Sequence, residues 1–125
     1  MTLEEISRTL EAKVLTGQDR IATEVTIGCA ADLMSDVLAF ARSDAILLTG
    51  LASPQVVYTA DVADIHAICI VRGKKPDVQT VRLAEEKGQV LMTTHLPMYV
   101  CCGRLFANGL PGLGYLDISE GNGRR

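Results

Sequence analysis

Ala45-Ile46-Leu47-Leu48-Thr49, Ala67-Ile68-Cys69-Ile70-Val71 and Val90-Leu91-Met92-Thr93 are short apolar runs separated by about one helix's length of chain each. Runs this short, apolar throughout and closed by small or polar residues read as strands covered on both faces. Neighbouring parallel strands need a crossover of a dozen or more residues, and the spacers supply it. The three runs therefore predict a parallel sheet with helical crossovers. Crossovers of this kind are right-handed almost without exception, which puts helices on both faces of the sheet.

The spacers agree with that frame. Ser53-Pro54-Gln55-Val56-Val57-Tyr58-Thr59-Ala60-Asp61 carries β-branched residues that favour a strand, but serine followed by proline is a good helix start. The crossover length decides for a helix. Pro76 opens the next helix, with Val78, Val81 and Ala84, and Gly88 stops it. Pro97 opens the last, with Met98, Cys102 and Leu105 on one face, and Gly109 ends it. Gly103 inside this helix costs about 1 kcal/mol relative to alanine; a close helix–sheet or helix–helix contact is the expected reason for it.

Upstream, Thr2-Leu3-Glu4-Glu5 is a capping box that starts a helix over residues 2–11. Lys13-Val14-Leu15 reads as a brief strand stopped by Gly17, and Glu24-Val25-Thr26-Ile27-Gly28 as a second. Residues 30–41 form a helix with Leu33, Val37, Phe40 and Ala41 on one face, capped by Asp32 or Ser35. The whole predicts an α/β fold with three layers: a mostly parallel five-stranded sheet with helices on both faces. It spans residues 1–108 as one domain. A Gly-rich tail, residues 109–125, follows; its Leu113, Tyr115, Leu116 and Ile118 are candidates to dock on the body or on a second subunit.

The 125 residues suit a single core, and 48% hydrophobic content with three tyrosines, two phenylalanines and no tryptophan fits aliphatic packing against a parallel sheet. A net charge of −3 argues against nucleic acid or an anionic membrane as partner. No apolar run approaches a membrane span, and the acidic Met1-Thr2-Leu3-Glu4-Glu5 lacks a signal peptide's layout, so a cytoplasmic protein is expected. The cysteines, Cys29, Cys69, Cys101 and Cys102, form no CxxC pair; adjacent cysteines on a helix diverge by about 100° and chelate poorly. They read as small core hydrophobes, and no cofactor is expected.

In an open parallel sheet, ligands bind beyond the carboxyl ends of the strands. Thr49, Gly50 and Ser53 follow one strand, Arg72, Gly73, Lys74 and Lys75 the next, and Thr93, Thr94 and His95 the last. Each group precedes a helix N-terminus, where free N–H groups favour anions. These residues are the candidate site for a small anionic metabolite. They also have an ordinary reading, in which Thr and Ser cap helices and Arg and Lys are solvated. His66, at the opposite end of the sheet, should not meet His95, and neither histidine has partners spaced for a catalytic triad. Asp32 and Asp36, four apart, read as a carboxylate pair or as a cap and a solvated residue. No Walker lysine motif and no G-x-G-x-x-G is present; Gly112-Leu113-Gly114 has no strand before it.

The series Ala31-Asp32-Leu33-Met34-Ser35-Asp36-Val37, Ile46-Leu47-Leu48-Thr49-Gly50, Ile68-Cys69-Ile70-Val71-Arg72-Gly73-Lys74-Lys75-Pro76 and Leu91-Met92-Thr93-Thr94, followed by Gly103-Arg104-Leu105, resembles the DRTGG domain family. The likeness covers residues 1 to about 108. The namesake Asp-Arg pair is not recognisable before the third helix, which makes the chain similar to the stand-alone branch of that family. The resemblance implies the fold of the N-terminal domain of HPr kinase/phosphorylase and of the DRTGG domain of phosphotransacetylase. It also implies a regulatory or assembly module without chemistry of its own, commonly a homodimer, with a partner enzyme possible. Stand-alone members near iron hydrogenase components suggest the alternative, a metal or iron–sulfur accessory protein in redox metabolism using Cys101 and Cys102 with Cys29 or Cys69. Surplus apolar surface at Val56, Val57 and Tyr58, or at Leu113, Tyr115 and Ile118, would serve dimerisation.

Overall fold

A computed structural model describes residues 1–39 and 42–114. In chain order the elements are α1 (Leu3–Thr9), β1 (Lys13–Thr16), a 3-10 turn (Gln18–Arg20), β2 (Ile27–Ala30), α2 (Met34–Ala39), β3 (Ala45–Thr49), α3 (Pro54–Val62), β4 (Ala67–Ile70), α4 (Val78–Glu86), β5 (Val90–Thr93) and α5 (Met98–Ala107). The sheet order is β1-β5-β4-β3-β2. β2 to β5 run parallel, and β1 joins β5 antiparallel.

Strand pleating sends successive side chains to opposite faces, and two cores result. Ile46, Leu48, Cys69 and Met92 point to one side, under Leu3 and Ile6 of α1 and Cys101 and Leu105 of α5. Leu47, Ile68, Ile70 and Leu91 point to the other, under Val37 of α2, Val56, Val57 and Ala60 of α3, and Ala84 of α4. Every residue of β3 and β4 is buried, as uninterrupted apolar runs require.

Local signals place the ends. Thr2 caps α1 through the reciprocal bonds of a capping box, Glu5 N–H to Thr2 Oγ1 at 3.1 Å and Thr2 N–H to Glu5 Oε1 at 2.8 Å. Asp77, one residue after the expected Pro76, caps α4 by accepting from Thr80 N–H at 2.8 Å. β1 is held by Thr16, whose buried hydroxyl donates to Gln89 O at 2.8 Å and accepts from Leu91 N–H at 3.1 Å where the register slips.

Several expectations are corrected. β2 lies at Ile27–Ala30 rather than 24–28, because Val25 N–H donates to Met1 O and Thr26 N–H to Asp44 O instead. α2 starts at Met34, and Met34 rather than Leu33 is buried beside Val37. Phe40 and Ala41 of that face lie outside the described residues. On α5, Cys101 joins Leu105 in the core while Met98 and Cys102 are only partly buried. Val56 and Val57 are core residues and offer no surface for dimerisation; of that trio Tyr58 alone is exposed. Gly103 has no close neighbour: a Cβ there would meet nothing within 4 Å.

Candidate functional site

The tips of β3 and β4 meet where the Arg72 side chain lies against Gly50, a contact termed the basin. Arg72 takes a left-handed backbone conformation, φ 67°, which its N–H bond to Leu96 O at 2.9 Å holds in place. The side chain then folds over Gly50; a Cβ at Gly50 would lie 2.9 Å from the guanidinium carbon, so only glycine leaves room for this placement. Arg72 is exposed and makes no ion pair among the described residues.

The basin holds a carboxylate that the sequence did not place there. Asp32, from the β2–α2 connection, accepts from Gly50 N–H at 2.7 Å and from Thr49 Oγ1 at 3.2 Å. Thr49 is buried, and its hydroxyl also accepts from Leu51 N–H at 3.2 Å. Among the described residues Asp32 thus bonds to the β3 tip and makes no capping bond to α2. The readable signal was an aspartate just beyond one strand tip, level with a Thr-Gly at the neighbouring tip.

The backbone N–H groups expected to stand free at these tips are engaged internally. Gly50 and Leu51 are satisfied as described, Arg72 by Leu96 O, and Gly73 by Thr94 O at 2.9 Å. Ser53 sits at the N-cap of α3 without a side-chain cap bond. Thr94 is buried and donates to Leu10 O at 2.6 Å, tying β5 to the end of α1. Thr93 pairs in register with Ile70 and Lys13 and is half-buried. His95 faces Glu11 at 3.7 Å, and Glu11 also accepts from Arg104 Nη1 at 2.9 Å. The candidate residues thus fall into two groups. Thr49, Gly50 and Arg72 meet in the basin, while Thr94 and His95 turn toward α1, joined to the basin through Gly73. His66 contacts Asp64 at 3.1 Å, away from His95.

A concavity of about 760 Å³ lies between α5 and the edge strand β2. Its walls include Gly28, Leu48, Tyr99, Cys102 and Gly103, with Leu110 to Leu113 closing one side. That closing segment returns along β2: Gly28 N–H donates to Pro111 O and Leu113 N–H to Gly28 O, both at 2.9 Å. Sequence periodicity could not reveal this groove, because it depends on a return of chain after α5. Of the tail residues considered for docking, Leu113 packs against the core; Tyr115, Leu116 and Ile118 lie outside the described residues.

The cysteines sit in settings that disfavour thiolates. Burial pushes all of them up, Cys101 to about 11, and the Asp36 carboxylate adds to the effect at Cys29. Metal ligation needs deprotonated sulfur, and among the described residues no three His, Cys, Asp or Glu side chains cluster as a metal site. No described helix is long and apolar enough to cross a membrane.

A three-layer α/β domain with this strand order is the class that the fold defines. No family model matches the chain, and no curated protein matches it. Among solved structures it is similar to the CBS and DRTGG domains of the regulatory region of Clostridium perfringens pyrophosphatase, complexed with the activator diadenosine tetraphosphate. The TM-score is 0.70 at 20% identity, over 88% of this chain and 47% of that one. The chain thus spans about half the length of that structure, and the likeness is one of fold.

Proposed function

We propose that this chain is a non-catalytic regulatory module that senses a small anionic metabolite at the Gly50–Arg72 basin and self-associates. The observation that carries the reading is the exposed Arg72 guanidinium, without an ion pair among the described residues, laid across Gly50 at the strand ends where parallel sheets bind ligands. The adjoining Asp32 carboxylate supports the reading in one respect: the Gly50 N–H and Thr49 hydroxyl beside Arg72 already hold a negative charge, and a ligand would compete with it for them. The pyrophosphatase region of similar fold supports the reading by analogy, being regulatory and bound to a phosphate-rich activator. A soluble setting beside a partner enzyme is part of the same proposal.

The test is a thermal-shift screen of nucleotides, dinucleoside polyphosphates, acyl phosphates and sugar phosphates. A ligand at about 100 times its Kd stabilises by about 2.7 kcal/mol, roughly 10 °C in a domain this size. The shift should shrink sharply in Arg72→Ala and in Gly50→Ala, whose methyl displaces the guanidinium. An unchanged shift in both variants would remove the basin from the argument.

A further inference from the structure

We infer that the groove between α5 and β2 is the seat of the chain's own next segment, Tyr115-Leu116-Asp117-Ile118, with Leu116 and Ile118 turned inward. The inference stands apart from the Gly50–Arg72 basin.

The first argument is where the described chain stops. Leu113 is part of the groove wall, and Leu113-Gly114 is a turn with Gly114 at φ 84°. An extended chain would go on pairing along β2 past Gly28; a left-handed glycine turns it off that edge instead. Residue 115 therefore starts at the rim of the groove.

The second is pattern and reach. Alternate side chains of an extended segment point to opposite sides, so Leu116 and Ile118 share one face and Asp117 takes the other. Beyond Ile118 the chain reads Ser119-Glu120-Gly121-Asn122-Gly123-Arg124-Arg125, with no large apolar side chain. The apolar part is thus confined to four residues, about 13 Å when extended. The groove's α5 wall, Tyr99 to Phe106, is about 10 Å long.

The third is charge and tethering. Asp36 lines the groove and makes no ion pair among the described residues. A second copy would bring a second Asp36 to the same place, whereas Arg124 and Arg125 follow on this segment with the opposite sign. A short tether also holds a segment near its seat at an effective concentration in the millimolar range, on the order of a thousandfold above a micromolar partner.

Such a seat gives Gly103 a purpose. Glycine inside a helix is unfavourable, and a Cβ at Gly103 would meet nothing within 4 Å among the described residues. Gly28 and Gly112 leave other parts of the wall equally bare. The space without side chains is room for two aliphatic ones.

The chain contains no tryptophan, so Leu116→Trp and Asp117→Trp each install a single fluorescent reporter in the full chain. Leu116→Trp should emit further to the blue and be quenched by acrylamide at least about 3-fold less than Asp117→Trp, the ratio set by the seated fraction. Both properties should hold from about 1 to 100 µM, because a tethered segment ignores dilution. Adding Gly103→Glu fills the seat and should bring Leu116→Trp to the emission and quenching of Asp117→Trp. Glutamate is the better helix former and enters open space, so the far-UV helix signal should stay. Three outcomes overturn the proposal. Equal quenching of the two reporters means that the segment does not seat. A blue shift lost on dilution gives the groove to a second copy. A blue shift that survives Gly103→Glu puts the seat elsewhere on the body.

Discussion

Replacing Asp32 with alanine tests the basin in the most direct way. The carboxylate accepts from Gly50 N–H at 2.7 Å and from Thr49 Oγ1 at 3.2 Å. Gly50 and Thr49 are both buried, so the variant strands two donors. A stranded buried donor costs about 1–3 kcal/mol, but Asp32 itself is exposed, and water entering its place recovers part of the loss. The expected destabilisation is about 1–2 kcal/mol, a fall of roughly 5–10 °C in Tm. Asp32→Asn keeps a carbonyl for Gly50 and should lose less than half as much. Urea unfolding in a buffer of weakly binding anions measures both. Added inorganic phosphate should restore most of the alanine variant's loss, since it supplies negative charge beside Arg72 in the vacated position. An alanine variant as stable as wild type would show that the bonds to Asp32 hold nothing in place. A destabilised variant that ignores phosphate would refute the anion-accepting basin.

Other expectations follow from single contacts. Gly17→Ala should cost at least about 2 kcal/mol, because φ is 78° and the new Cβ would lie 2.7 Å from Val90 Cγ2 and 2.9 Å from Val90 Cα; a urea midpoint within error of wild type would contradict it. Thr16→Val keeps the shape but removes the hydroxyl that bridges Gln89 O and Leu91 N–H, leaving both without that partner, and should lose about 1–3 kcal/mol, with hydrogen exchange rising first at β1. Asp44 is held at about 2, below its ordinary 3.8, by its bonds to Arg42 and then Thr26. A depressed carboxylate stabilises the fold above its unfolded pKa and loses that contribution as pH falls from about 4 toward 2. Asp44→Asn should therefore flatten the stability profile within that window and leave its shape unchanged at neutral pH.

β3, β4 and β5 were legible because strands covered on both faces have no choice but continuous apolar sequence, and their crossovers carry proline and serine at the helix starts. The Thr2 capping box was legible because its partners are three residues apart. β1's direction was not: Lys13-Val14-Leu15 looks the same for either orientation, and the deciding bonds from Thr16 reach Gln89 and Leu91, more than 70 residues away. At the basin, glycine and arginine at the strand tips were visible as residue types. That the arginine would lie across the glycine, with Asp32 filling the donors beside it, depends on contacts between separate loops. Gly103 carries a readable cost, but the helix–sheet or helix–helix contact expected to explain it is not made: a Cβ there would meet nothing within 4 Å.

The return of residues 110–113 along β2 has a consequence for how molecules can meet. Gly28 spends both its backbone groups on the chain's own Pro111 and Leu113, so a stranger's strand cannot zip onto that margin without first peeling the segment away. At the far margin β1 is short and its ladder is broken between Val14 and Thr16, a poor template for the same reason. With both rims blunted, runaway ribbon growth is discouraged, and any orderly union of copies is steered onto helices.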